Sequence, residues 1–390
     1  MSENSPIIKN VYIYADTYRI LTHITDVNLR NVKWYNNSMF EAFYDCPNLT
    51  TVKNINENVT NMRMAFAGCS NLTETPIIPN NAIDMVHTFQ WCYNLVNAPI
   101  IPNGVTNMYG TFSYCINLVN APIIPNNVTD MSSTFYNCHS LVNAPVIPNS
   151  VTNMYCTFKD CNNLTSAPTI PNSVINMDGT FMSCNILKTA PVIPGSVTTM
   201  NRTFTYCDNL TSAPTIPDSV TCLHETFCGC SNLKEPPQIS NNVTDMYGTF
   251  DDCWKLTRAP IIPNGVVNMR NTFNECWELT SAPIIPNGVV NMRNTFSSCF
   301  KLKNAPNIPE SVHDMNGTFH SCYNLSGSIY IHSSNIEYAS YCFGIPSSVL
   351  TVYIPFTYEN GVHTMTYNTF TNSMYSDLIY NVQFKDINQI

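Results

Sequence analysis

The chain has 390 residues, 44% of them hydrophobic and 11% charged, with a formal net charge of −9. It is long enough to bury a large core, and its acidity argues against a nucleic-acid partner, which would call for a basic face. There is no run of 18 apolar residues to span a membrane, and the opening "MSENSPIIKNVYIYADTYRI" lacks the basic start and apolar run of a secretory signal.

Residues 1–38 precede any periodicity and are expected to form an N-terminal cap. From residue 39 a single period governs the chain. Phe recurs at 43, 66, 89, 112, 135, 158, 181, 204, 227, 250, 273, 296 and 319, thirteen copies 23 residues apart without insertion or deletion. Cys follows three places after each Phe, from Cys46 to Cys322, and Leu three places later, from Leu49 to Leu325. Met stands four before the Phe in every copy except the ninth, where Leu223 replaces it. The unit is M-x-x-T-F-x-x-C-x-N-L-x-x-A-P-x-I-P-N-x-V-x-N. One such unit cannot bury both of its faces, so the copies are expected to stack, each covering its neighbour.

In the first half of the unit, Met, Phe and Cys at i, i+4 and i+7 predict one face of a short helix. The residue before the Met is usually Asn or Asp (Asn61, Asp84, Asn107, Asp130), a helix-start signal. An Asn two places after the Cys (Asn94, Asn117, Asn163) fits a left-handed helix stop or, equally, an asparagine ladder between coils. In the second half Leu, Ala and Ile, as in Leu279, Ala282 and Ile285, are expected to point inward along extended chain. Pro283 and Pro286 limit the strand there to three or four residues, because proline has no N–H for a ladder. "PNG" and "PNS" read as turns, and the β-branched "VTN" or "VVN" as a second short strand. The fold class is therefore an α/β repeat solenoid. It is expected to be a curved rod of about thirteen coils, each with a short helix and a short parallel strand, on the order of 60 Å long at the strand spacing. Residues 39–325 form the array. Residues 326–390, which include "VLTVYIPFTY", form a C-terminal cap, either a modified last coil or two or a small domain.

The segment "LTSAPTIPNSVINMDGTFMSC", Leu164–Cys184, resembles the BspA-like class of leucine-rich repeats, whose unit is L-x-x-I-x-I-P-x-x-V-x-x-I-x-x-x-A-F-x-x-C. The departures are Met for Ile before the helix, Thr for Ala before the Phe, and Ala-Pro in the strand. The resemblance covers residues 39 to about 325. It implies a leucine-rich-repeat fold, a bacterial, protozoan or phage source, and adhesion or binding to host or partner macromolecules.

Thirteen cysteines in one column between Phe and Leu cannot all pair within a chain. Lying in a row, they do not converge on a metal either. They read as buried thiols acting as small hydrophobes, with disulfides between neighbouring coils as the alternative. Cys156, Cys222, Cys228 and Cys342 lie off the column, and Cys222 and Cys228 are open to pairing or to remaining free. So many thiols, and N-L-T sequons at Asn48, Asn71, Asn163 and Asn209, favour synthesis in a reducing cytoplasm.

No cofactor, metal site or catalytic constellation is expected. The eight histidines match no ligand or triad spacing, and there is no phosphate loop or G-x-S-x-G. Binding is expected in the variable columns instead. The residue after each Cys becomes aromatic in four consecutive copies, Trp254, Trp277, Phe300 and Tyr323, with Arg258, Arg270, Arg293, Lys255 and Lys301 nearby. A second aromatic group is Trp91, Tyr93, Tyr109 and Tyr114. Such residues anchor interfaces and stack on sugars, or else they stack on one another and stiffen the array. The expected function is a non-enzymatic binding or adhesion protein on a phage virion or bacterial surface, made in the cytoplasm and recognising a protein or glycan. A cytoplasmic or structural scaffold is the alternative. There is no coiled-coil segment to set an oligomer, but exposed edges leave homo-oligomers possible.

Overall fold

The computed structural model describes residues 23–389 except 31, 345, 356–357, 360–361 and 364–381. It divides into two compact units, Met1–Leu187 and Lys188–Ile390.

In the first unit, strand β1 (Asp26–Asn28) pairs in parallel with β2 (Thr51–Lys53), Val27 opposite Val52. Beyond β2 the coils stack through their side chains. Phe43, Phe66, Phe89, Phe112, Phe135, Phe158 and Phe181 form one buried column, neighbouring rings near-parallel with centroids 5.5–5.9 Å apart. The Met, Cys, Leu and Val columns beside it are also buried.

The expected helix is absent: no α-helix occurs among the described residues. The Met-to-Cys segment is a staircase of turns. Met62, Met64, Phe66 and Gly68 donate their N–H groups to the next coil, at Asp84, Val86, Thr88 and Gln90, over 2.8–3.0 Å. The intervening amides close four-residue turns: Ala65 to Met62, Ala67 to Met64, Cys69 to Phe66. The first and last of these turns carry a left-handed residue at their third position, and every coil has both, two places before and two after the Phe. Met64 (φ 55°) and Gly68 (φ 81°) are one pair, Ser133 (φ 50°) and Asn137 (φ 60°) another. A four-residue turn with positive φ at its third residue has the demand of a type II turn, and a single left-handed residue ends an α-helix. The Asn or Asp before the Met does accept a backbone N–H, as in Asn107 Oδ1 from Tyr109 (2.8 Å), but it caps a turn and not a helix.

The expected strands shrink as well. In most coils the Ala-Pro leg and the VTN leg contribute single parallel bridges only, such as Asn97 to Asn120 and Asn107 to Asp130. The leg contains two prolines without donors, which limits the ladder to single rungs. The turn at "PNG" is formed, with Val105 N–H bonded to Pro102 O at 3.1 Å.

The second unit repeats this construction. Phe204, Phe227, Phe250, Phe273, Phe296 and Phe319 stack at 5.6–5.7 Å, and Leu223, Glu225, Phe227 and Gly229 donate to Asp245, Tyr247, Thr249 and Asp251. The column runs on at a spacing of 24 to Phe343, 5.9 Å from Phe319. Next to it, β3 (Gly327–Tyr330), β4 (Leu350–Ile354) and β7 (Val382–Asp386) form a parallel sheet in the order β3-β4-β7, and β5 (Tyr358–Glu359) pairs antiparallel with β6 (Val362–His363).

None of the 17 cysteines is in a disulfide, Cys222 and Cys228 included. The register thiols do more than fill space. Cys69, Cys115, Cys138 and Cys161 place Sγ 3.1 Å from the Phe carbonyl one coil back, at Phe43, Phe89, Phe112 and Phe135. From Thr88 to Thr318 the buried Thr before the Phe does the same for the Met carbonyl: Thr134 Oγ1 reaches Met108 O at 2.9 Å and Met131 O at 2.8 Å. Two short donor side chains therefore give these carbonyls, which already accept a turn amide, a second hydrogen bond from the next coil.

Candidate binding surfaces

The buried columns leave no room for a ligand, so recognition falls to the columns that face outward. The four-residue aromatic stripe lies in the second unit. Trp254 stacks on Trp277 at 4.9 Å, Trp277 on Phe300 at 5.7 Å, and Phe300 on Tyr323 at 5.7 Å, all within 25° of parallel. Trp254 and Tyr323 remain 40% and 49% exposed, whereas Trp277 and Phe300 are half-buried. The rings thus stack from coil to coil and still leave the stripe open to solvent.

The basic residues near it differ in what they do. Lys301 pairs with Glu278 at 2.7 Å, Arg258 forms an ion pair with Glu235, and Lys255 Nζ meets Asn232 Oδ1 at 2.6 Å, each one coil back. Arg270 lies over the Tyr247 ring, 5.6 Å from its centroid. Arg293 stands in the same column as Arg270, one coil on, and is exposed.

The structure does not gather the second aromatic group into one patch. Trp91 and Tyr114 lie 6.2 Å apart, and Tyr114 continues to Tyr136 at 5.0 Å, a residue the sequence reading left out. The hydroxyl contact with Tyr114, followed by burial, raises the Tyr136 phenol above its ordinary value. Tyr109 packs on His87 at 4.6 Å instead, and Tyr93 is exposed with no ring partner among the described residues.

A further column was not singled out from the sequence. The residue between Pro and Ile in A-P-x-I-P is Ile77, Ile100, Ile123 and Val146 in four successive coils of the first unit, exposed by 88, 91, 90 and 88%. The signal was available: in extended chain the neighbour of an inward Ile faces outward. The leg around it is uncharged in the last three of these coils, while Glu74 precedes Ile77 in the first. No Asp, Glu, Lys or Arg occurs between Leu95 and Asn107, between Leu118 and Thr129, or between Leu141 and Asn153. The second unit carries Val192, Ile261 and Ile284 at equivalent positions, also almost fully exposed. Single exposed aliphatics are ordinary, but a contiguous row is the mark of an interaction site.

Acidic groups cluster on the turn segment of the second unit. Burial, ahead of Asp252, Glu275 and Glu225, pushes the Asp251 carboxyl up to about 6, opposed by a 2.7 Å hydrogen bond from Asn274. No group of three or more potential metal ligands occurs among the described residues, and no described helix is long and apolar enough to cross a membrane.

The model of the BspA type leucine-rich repeat region matches in overlapping stretches, 9–109, 86–211, 155–276, 198–326 and 269–390. A leucine-rich repeat protein from Bacteroides ovatus has a similar structure, with 21% identity, 99% of this chain and 97% of that one covered, and a TM-score of 0.67. A leucine rich cell surface protein from Faecalibacterium prausnitzii is 22% identical over 73% of this chain and 83% of its own, with a TM-score of 0.45. No curated protein matches the chain.

Proposed function

Because the chain belongs to the BspA-type leucine-rich-repeat family, we propose that it is a non-enzymatic binding protein whose repeat surface engages a protein partner. The observation that carries this reading is the row Ile77, Ile100, Ile123 and Val146, each nearly nine-tenths or more exposed, the last three on uncharged legs. Four adjacent aliphatic side chains in water gain on the order of 1.5–3 kcal/mol each when covered, enough to anchor an interface. The partner's matching surface is apolar and neutral. The stripe from Trp254 to Tyr323 offers a second surface, suited to a protein or to the face of a sugar. The setting we favour is the surface of a bacterium or of a phage particle, where adhesion is the use of such an array. The intracellular scaffold is the competing reading.

The test is retention of envelope proteins and glycans from bacterial cells on the immobilised full chain. The variant Ile100→Asp/Ile123→Asp is compared with Trp254→Ala/Trp277→Ala, each first shown to melt like the parent. Loss of the retained partner in the aliphatic variant supports the reading. Equal retention by the parent and both variants removes both surfaces, and a partner found only among cytoplasmic proteins favours the scaffold.

A further inference from the structure

Apart from Arg293, the arginines of the second unit, and one of its lysines, are each held by a side chain one coil away. Arg202 meets Glu225 at 2.7 Å, Lys301 meets Glu278 at 2.7 Å, Arg258 pairs with Glu235, and Arg270 is laid over Tyr247. Arg293 breaks the habit. Its backbone N–H is held by Asn291 Oδ1 at 2.9 Å, but its guanidinium has no ion-pair partner among the described residues. It stands at the rim of an open cleft of about 330 Å³ lined by Asn294, Asn316, Gly317, His320, Ser340 and Tyr341.

The register explains why a cleft lies there. Asn294, Gly317 and Tyr341 occupy the same place in three successive coils, two residues before the Phe, and each has positive φ. Gly317 has no side chain between its two neighbours, and a Cβ there would stand 2.2 Å from Asn294 Oδ1. The notch is walled by His320 and Tyr341, rings 6.3 Å apart and nearly perpendicular at 88°. Asn316 Oδ1 is taken by the Ser340 N–H at 2.7 Å, which leaves the Asn316 amide –NH₂ to donate. No carboxylate lines the cleft. On a chain of net charge −9, this is a site made of a guanidinium, amide donors, an imidazole and a phenol ring.

We infer that this cleft binds an acidic sugar. The sugar carboxylate sits on the unpaired Arg293, in the forked geometry a guanidinium offers. Its hydroxyls meet the Asn294 and Asn316 amides, and its ring lies against Tyr341. The site lies in a different unit from the Ile77–Val146 row, so either can fail without the other.

Isothermal titration of the full chain with D-glucuronate, D-glucose and acetate tests this. Glucuronate is expected to bind at least tenfold tighter than either glucose, which lacks the charge, or acetate, which lacks the ring. Arg293→Gln is expected to lose at least tenfold for glucuronate, with Arg293→Lys in between, and Gly317→Asn, which accepts positive φ and fills the notch, to lose binding as well. No saturable glucuronate binding, equal binding by the parent and Arg293→Gln, or acetate or glucose binding as tightly as glucuronate overturns the assignment.

Discussion

Raising the pH should unfold this protein at a value most proteins tolerate, because its thiols are dry. Burial raises Cys69, Cys92, Cys115, Cys138 and Cys161 in the first unit well above the ordinary thiol range, with neighbouring thiols of the column reinforcing several of them. In the second unit, burial takes Cys228 and Cys322 up to about 12. The folded state therefore keeps protons that the unfolded chain releases from about pH 8.5 upward. With fewer protons bound in the unfolded state, stability is complete below that pH and falls as pH rises toward the folded values. One pH unit above the unfolded value, each thiol removes about 1.4 kcal/mol. The five in the first unit together remove about 7 kcal/mol if that unit melts cooperatively, comparable with the whole stability of a typical domain at about 5–15 kcal/mol. Urea unfolding followed by circular dichroism at pH 7.5, 8.5 and 9.5, under reductant, measures this below the midpoints of tyrosine and lysine titration. Cys138→Ala/Cys161→Ala should lower the dependence by about a third at most, since Cys46 and Cys156 in the same unit are raised as well and keep their share. A stability flat across this range, or a slope unchanged in the double variant, would refute the buried neutral column.

Three other substitutions test the packing. Phe135→Ala removes a ring stacked on Phe112 at 5.9 Å and Phe158 at 5.7 Å, and should cost about 3–5 kcal/mol in urea titration. Thr134→Val keeps the volume but deletes the hydroxyl that serves Met108 and Met131, and should cost about 1–3 kcal/mol with an unchanged denaturant slope. Ser133, held at φ 50°, separates the turn staircase from a helix by sign. Ser133→Gly should stabilise by up to about 1 kcal/mol here, whereas glycine within a helix would destabilise by about as much, so a lowered melting temperature for Ser133→Gly would refute the staircase.

The period was legible because stacking demands it: a buried Phe meets the same residue from the next coil, and any change in spacing would break the column. That is why the columns at Phe, Met, Cys and Leu were located correctly, while the local backbone was not. Met85, Phe89 and Cys92 would share one face of a helix and are buried together in the staircase as well, so periodicity alone cannot separate the two. The residues that do separate them are those with positive φ. Gly110, Gly179, Gly248 and Gly317 fall two places before the Phe, and Gly68 and Gly229 two places after it, where a helix would disfavour glycine. The column holds His87, Ser133 and Arg202 as well, which blurred the signal in any single copy. The same logic reassigns the cysteines. Read singly, each is a small hydrophobe; read against a backbone that sends alternate amides to the next coil, Cys and Thr are the two short donors that reach back to otherwise underused carbonyls. The exposed aliphatic row was hidden by the opposite bias: in "PIIP" the eye assigns both Ile side chains to the core, yet an extended leg buries Ile101 and must present Ile100. What a sequence of this kind withholds is therefore side, not position, and side is what decides which residues a partner can touch.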